Sequence, residues 1–251
     1  MLFRNKEQER ALDFVERGNW DMFCLQEVPE DFLEKLKALP YPLAYAIDVE
    51  RATPRKENVY LVILSRFPIT AQASFAFPDY WHTLPARTKV FVRLMRPFHW
   101  TRISNRNGIY ADLDLRGVRM RVFNLHLVLA RPELRLAEFE RAMHERDPET
   151  PTIVCGDLNT LERPHITLLN WLSSGTLLDW LLHRRERASM ESLFARFDLV
   201  NPLRGHSTHP ISRSQLDHIL LSPHFSLVST DVVPDRHGSD HHPISAEVNI
   251  A

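Results

Sequence analysis

ADLDLRGVRMRVFNLHL, residues 111–127, alternates apolar and polar side chains up to Leu115, turns at Arg116-Gly117, and continues with Val118, Met120 and Val122 on one face. Period-two alternation on both sides of a glycine turn predicts a β-hairpin. Its second strand ends in polar groups, Asn124 and His126. Working outward, TIVCGD (152–157) is a continuous apolar run that enters a loop. Such runs are strands buried on both faces. Between the two, Pro132 opens a helix to about residue 146, with Leu136, Phe139 and Met143 at helical spacing. MFCLQ (22–26), VYLVILS (59–65), LDHILLS (216–222) and ISAEVNI (244–250) read as further strands. A helix is expected over 6–17, with Ala11, Phe14 and Val15 on one face and Gly18 at its end. A second follows Pro29, with Phe32, Leu33, Leu36 and Leu39 inward, and residues 165–197 look helical. Strands outnumber helices, so the expectation is a β-sandwich flanked by helices, one domain over 1–251.

Composition narrows the classes. The chain has 251 residues, 44% hydrophobic and 25% charged, values ordinary for a globular protein and wrong for disorder, collagen or coiled coil. Lys+Arg of 31 against Asp+Glu of 32 excludes a generally basic coat, though not a local basic groove. No apolar run approaches the roughly 18 residues that a membrane helix needs, so no integral membrane segment is expected. The two cysteines, Cys24 and Cys155, cannot build a disulfide framework and read as buried thiols, which fits a reducing, cytoplasmic setting. MLFRNKEQER at the start has no apolar signal core.

The informative feature is where acids, amides and histidines fall. Glu27 follows MFCLQ; Asn124 and His126 end the 118–126 strand; Asp157 and Asn159 end TIVC; Asp217 and His218 begin a strand; Asp240, His241 and His242 precede the last one. Singly each is bland. Asp157 and Asn159 could only make a turn, and a histidine such as His126 in an apolar stretch is more often a satisfied core residue. Jointly, five strand ends carry polar groups, and strand ends are rigid mounts for a site. Carboxylates with an amide form a hard oxygen cage suited to Mg²⁺ or Mn²⁺. A histidine beside an aspartate supplies an oriented imidazole. Together they suit hydrolysis of a phosphoester.

In chain order, LQEV (25–28), LSRFPI (64–69), NLHL (124–127), GDLN (156–159), LDHILLS (216–222) and GSDHHPI (238–244) resemble the signatures of the endonuclease/exonuclease/phosphatase superfamily. The resemblance runs from about residue 6 to 250. It implies a deoxyribonuclease-I-like or exonuclease-III-like fold, a four-layer α/β/β/α sandwich. It also implies roles. Glu27 and Asp240 would hold the metal, and His126 would contact the scissile phosphate. Asp157 would position or deprotonate the attacking water, and Asn159 would hold the phosphate. Asp217 would orient His241, the phosphate-binding, general-base-type histidine. His218 and His242 match no role and read as structural. One departure stands out. The family begins with a strand ending in a metal-holding asparagine, and that strand is apparently missing here. Asn5 is the sole candidate, 22 residues before Glu27.

The phosphoester is less legible. Residues 79–106 hold Arg87, Lys89, Arg93, Arg96, Arg102 and Arg106 against Asp79 alone, interleaved with Tyr80, Trp81, Phe91, Phe98 and Trp100. That suits a grip on nucleic acid, or alternating strand faces in VFVRLM (90–95). Residues 161–199 contain LLNWLSSGTLLDWLLHRRER, either a membrane-surface element or core packing. The first expectation is a metal-dependent phosphodiesterase, a nuclease, acting as a monomer. The alternatives are a phosphomonoesterase, a phospholipid-type phosphodiesterase, or an inactive binding module of the same fold.

Overall fold

A computed structural model of the chain describes residues 7–52, 57–95, 102–129 and 131–250. Asn5 lies outside them. Eleven strands form three sheets among the described residues. The first sheet has the order β1 (Met22–Pro29), β3 (Glu57–Ser65), β2 (Leu43–Ala52), β5 (Arg102–Ser104). The second runs β4 (Ile69–Ala76), β6 (Asn107–Leu115), β7 (Val118–His126), β8 (Thr152–Asp157), β9 (Asp217–Leu221). A separate hairpin pairs β10 (Phe225–Val232) with β11 (Ile244–Ile250).

Three apolar layers hold these parts together. Between the two large sheets, Leu61 and Ile63 of β3 meet Ile109, Ala111 and Leu113 of β6, Val122 of β7 and Ile153 of β8. Both sheets therefore bury a face here, which is why β3 and β8 are nearly unbroken apolar runs. On the outside of the first sheet, α1 (Gln8–Arg17) and α2 (Glu30–Lys37) lay Val15, Phe32, Leu33 and Leu36 against Val62 and Leu64. On the outside of the second, α4 (Pro132–Met143) and α7 (Arg185–Arg196) lay Phe139, Met143, Met190 and Phe194 against Phe123, Leu125 and Val154. The order is helix, sheet, sheet, helix, as the expected α/β/β/α sandwich requires.

One polar group sits in the apolar layer between the sheets. Asn124 is fully buried. Its Nδ2 donates to the carbonyls of Leu25 and Val62, both at 2.9 Å, and its Oδ1 accepts from Gln26 Nε2 at 2.6 Å. All of its partners belong to the opposite sheet. Burial without such partners costs several kcal/mol. Cys24 and Cys155 also meet across this layer, and the contact together with burial holds the Cys24 thiol well above its ordinary value.

Two expectations need correction. VFVRLM is no strand: residues 86–94 form helix α3 (Ala86–Leu94), preceded by Pro85 and anchored where Thr88 Oγ1 donates to the Leu172 carbonyl at 2.9 Å. Tertiary anchoring overrides the β-branched composition. Strands β2, β4 and β5 were not expected from the sequence, and neither was the hairpin strand β10. Its sequence, FSLVSTDV, is mostly exposed and polar, so it carries little periodic signal. The helical reading of 165–197 resolves into α5 (Leu168–Leu172), α6 (Leu177–Leu181) and α7.

Candidate active site

The site lies on the rim where β7, β8 and β9 meet. β7 and β8 run parallel, and their register pairs His126 with Asp157. β8 and β9 run antiparallel and pair Asp157 with Asp217. Three polar residues from distant parts of the chain thus occupy neighbouring backbone positions. Gly156 makes the close approach possible. Its φ is +141°, and a Cβ there would lie 1.8 Å from the Leu125 carbonyl oxygen. Beyond the strand, Asn159 sits at φ 52°, donates its backbone N–H to Asp157 Oδ1 at 2.8 Å, and donates Nδ2 to the Leu127 carbonyl at 2.8 Å. The GDLN turn is therefore closed at both ends and holds Asp157 in place.

Two imidazoles are each oriented by a carboxylate. His126 Nδ1 is 2.8 Å from Asp48 Oδ2, and His241 Nδ1 is 2.8 Å from Asp217 Oδ2. An ionised carboxylate only accepts, so both rings donate from Nδ1 and leave Nε2 for the cavity. His126 Nε2 is 3.9 Å from Asp157 Oδ2, which places the carboxylate beside the first ring. Burial alone would lower the pKa of His241, but Asp217, Asp157 and Asp240 outweigh it and raise it to about 9. His241 is an imidazolium at neutral pH. Burial, reinforced by Asp217, raises the pKa of Asp157 despite the two histidines.

Glu27 comes from the other sheet. A bulge between Leu25 and Val28 puts it at φ 54° and re-aims its side chain. Its carboxylate meets Arg51 Nη2 at 2.6 Å, and its backbone N–H donates to Asp48 Oδ2 at 3.2 Å. Glu27, His126, Asp157, Asn159, Asp240 and His241 all line one cavity of about 260 Å³. Asp217 stands behind His241. Every site residue expected from the sequence is thus brought to one place.

The carboxylates fit a hard divalent cation. Glu27 and Asp240 line the same cavity, and Asp48 Oδ1, buried beside Glu27 in sequence-distant β2, meets no donor among the described residues. A second grouping, His209, Asp240 and His241, has ligand atoms within 4.8 Å of one another. It is a poorer cation site. Ser212 N–H donates to His209 Nδ1 at 3.0 Å, so the proton of the neutral ring sits on Nε2. Burial and the His241 charge lower the pKa of His209 to about 4, so it stays neutral. His209 is a hydrogen-bond donor packed edge-on against His241, with ring centroids 4.8 Å apart.

Asp48, His209 and Arg51 escaped the sequence reading. Asp48 had a weak signal, as an acid inside the apolar stretch LAYAI before VERA. His209 had none, because only folding of the 206–216 loop brings it to His241. Arg106 needs correction as a grip for substrate. It is buried, ion-paired to Glu138, and donates Nη2 to the His126 carbonyl at 2.6 Å. Arg87 likewise donates to the carbonyls of Trp171 and Gly175. Arg96 lies outside the described residues. His218 is a buried neutral ring between the Leu216 carbonyl and Arg187, and His242 Nδ1 meets the Val233 carbonyl.

The sequence profile described as "Endonuclease/Exonuclease/phosphatase family" matches residues 2–241. The chain belongs to that family. Solved structures of family proteins share its deoxyribonuclease-I-like fold. An endonuclease/exonuclease/phosphatase from Beutenbergia cavernae superposes with a TM-score of 0.66 at 19% identity, covering 98% of this chain and 66% of that one. The Bacteroides thetaiotaomicron mannosyl-6-phosphatase Bt3783 gives 0.62 at 17%, covering 98% and 91%. D. rerio TDP2 complexed with a single-strand DNA product gives 0.61 at 14%, covering 98% and 93%. No curated protein sequence matches. Members of this family are phosphoesterases.

Proposed function

We propose that the chain is a divalent-metal-dependent phosphodiesterase. The observation that carries this is the pair of carboxylate-oriented histidines, His126–Asp48 and His241–Asp217, on either side of a buried Asp157 in one cavity. Asp157, whose pKa is raised by burial, accepts the proton of the attacking water. The His241 imidazolium and the remaining Asn159 N–H bind non-bridging phosphate oxygens. His126, with Asp48 holding its Nδ1–H, takes that proton from Asp157 at Nε2, 3.9 Å from Asp157 Oδ2, and gives it to the departing oxygen. The water–phosphorus bond forms and the phosphorus–alcohol bond breaks, with one proton taken and one returned. A cation held by Glu27 and Asp240 would supply charge neutralisation at the phosphate. His209 Nε2–H adds a neutral donor beside His241.

The sequence favours a nuclease within this class. The structure supplies a counterweight, since Arg87 and Arg106 serve backbone carbonyls and Glu138 instead of a strand of phosphates. The inactive-module alternative rests only on the missing first-strand asparagine, against Glu27, Asp157, Asn159, Asp240 and His241 gathered in one cavity with Asp217 on His241.

The test is Mg²⁺-dependent hydrolysis of a panel: single- and double-stranded DNA, abasic DNA, RNA, sphingomyelin, an inositol polyphosphate and an aryl phosphodiester. Turnover of one class, lost in His241→Ala, is expected. Silence on every phosphodiester with turnover of a monoester refutes the diesterase reading. Silence throughout refutes the enzyme.

A further inference from the structure

Helix α6 has an unusual surface. Leu177, Leu178, Leu181 and Leu182 are each more than half exposed, and Trp180 more than a third. Monomeric proteins seldom expose a contiguous apolar cluster of this kind without a partner for it. The helix is firmly held all the same. Thr176 and Asp179 form a capping box at its start, Thr167 Oγ1 donates to the Trp180 carbonyl at 3.1 Å, and the Trp171 and Trp180 rings meet at 6.2 Å. Its exposed leucines are therefore presented by a rigid base.

The neighbouring helix repeats the pattern. α3 is tied to α5 through Arg87 and Thr88. Thr88 and Val92 of α3 line the catalytic cavity, while Val90 and Leu94 on its other side are 56% and 69% exposed. The apolar surface thus begins at a wall of the active site. The walls of that cavity away from the catalytic groups are also apolar, with Phe77, Trp81, Leu84 and Leu129.

Charge decides what covers this surface. Arg184 and Arg185 follow α6 directly, and Lys89 and Arg93 lie on α3. None of the four has an acidic partner among the described residues. The acid within α6, Asp179, accepts from its own cap. Exposed leucines and a tryptophan flanked by unpaired cations match the chemistry of an anionic bilayer surface, with apolar groups at the acyl boundary and cations at the headgroups. We infer that α6 and the outer side of α3 dock this chain on an anionic phospholipid membrane, so that the catalytic cavity takes its phosphodiester from a lipid headgroup. The last clause rests on the phosphodiesterase reading; the docking does not.

The experiment is sedimentation of the full chain with phosphatidylcholine vesicles containing about 30% phosphatidylserine, against pure phosphatidylcholine. Binding to the anionic vesicles only is expected. Removing both charges in Arg184→Ala/Arg185→Ala should weaken it about thirtyfold, at about fivefold per charge. Leu178→Asp/Leu181→Asp should weaken it at least tenfold. All four side chains are exposed, and unchanged thermal melting checks that the variants fold. Wild-type protein left in the supernatant with anionic vesicles overturns the inference. So does binding that the leucine variant leaves intact. Self-association lost in Leu178→Asp/Leu181→Asp, or DNA outcompeting the vesicles through Arg184 and Arg185, assigns the surface to another partner and overturns it too. His241→Ala should bind vesicles as well as wild type. Vesicle binding without any phosphodiester turnover would leave the docking standing and remove the proposed reaction.

Discussion

Asp48 makes the site's most consequential contact that the sequence did not reveal, and a double-mutant cycle tests it. Its Oδ2 accepts from His126 Nδ1 at 2.8 Å and from Glu27 N–H at 3.2 Å. Hydrogen bonds to a charged group contribute about 1.5–3 kcal/mol. If the His126 bond matters through orientation and charge in the transition state, Asp48→Ala should lower kcat/KM about 10- to 150-fold, since each 1.36 kcal/mol is tenfold. The stronger statement concerns coupling. Asp48 acts chiefly through His126, so at saturating Mg²⁺ Asp48→Ala placed in a His126→Ala background should cost at most about threefold further, reflecting the weaker bond to Glu27 and the donor-free Oδ1. The assay is steady-state hydrolysis of whichever phosphodiester the panel identifies, with all four proteins at one metal concentration. Fully additive losses would refute the claim that Asp48 works on His126. A negligible loss in Asp48→Ala alone would refute the claim that ring orientation limits turnover.

Further outcomes follow from the same geometry. Asp157→Asn and His241→Ala should each reduce kcat by at least about a hundredfold, and near wild-type rates in both would remove the assigned site. EDTA should abolish turnover and Mg²⁺ or Mn²⁺ restore it, with Glu27→Gln raising the Mg²⁺ needed for half-maximal rate at least about tenfold; an EDTA-insensitive rate contradicts the metal reading. Gly156→Ala would place a Cβ 1.8 Å from the Leu125 oxygen at a φ of +141° and should cost more than about 3 kcal/mol in urea unfolding. Arg135 is fully buried and bonds Glu186 and Asn170, so Arg135→Met should cost about 3–5 kcal/mol by leaving the Glu186 charge unpaired; a change below about 1 kcal/mol would show that the pair contributes little.

Much of the fold was readable because the strands that build it are buried on both faces. VYLVILS and TIVC are almost wholly apolar, with only Ser65 and Thr152 as buried polar residues, so their sequences announce them. β10 faces solvent along most of its length and announces nothing. Helix α3 was misread because Val90, Phe91 and Val92 favour a strand locally, while Pro85 and the Thr88 bond to Leu172 impose a helix. At the site, residues ending buried strands were legible, since a charge at an apolar boundary has few structural uses. Asp48 lies within a strand and His209 within a loop, and their partners are 78 and 32 residues away. Pairings of that kind arise only from tertiary folding, and no local pattern encodes them.

The Asn124 amide bears on how the catalytic spacing is kept. His126 stands two residues beyond Asn124 on β7, and Glu27 stands two beyond Leu25 and one beyond Gln26, the groups that Asn124 grips. Apolar layers alone would tolerate small slides of one sheet over the other, because leucine against isoleucine is nearly indifferent to position. The amide is not indifferent: displaced by one residue, it would strand its own donors and the glutamine in a dry layer. The sheets therefore dock at one index mark, and the separation between the carboxylate of one sheet and the imidazole of the other is inherited from it. Core substitutions elsewhere can accumulate with little effect on chemistry, while an isosteric Asn124→Leu would leave a well-packed protein whose two half-sites no longer share an alignment.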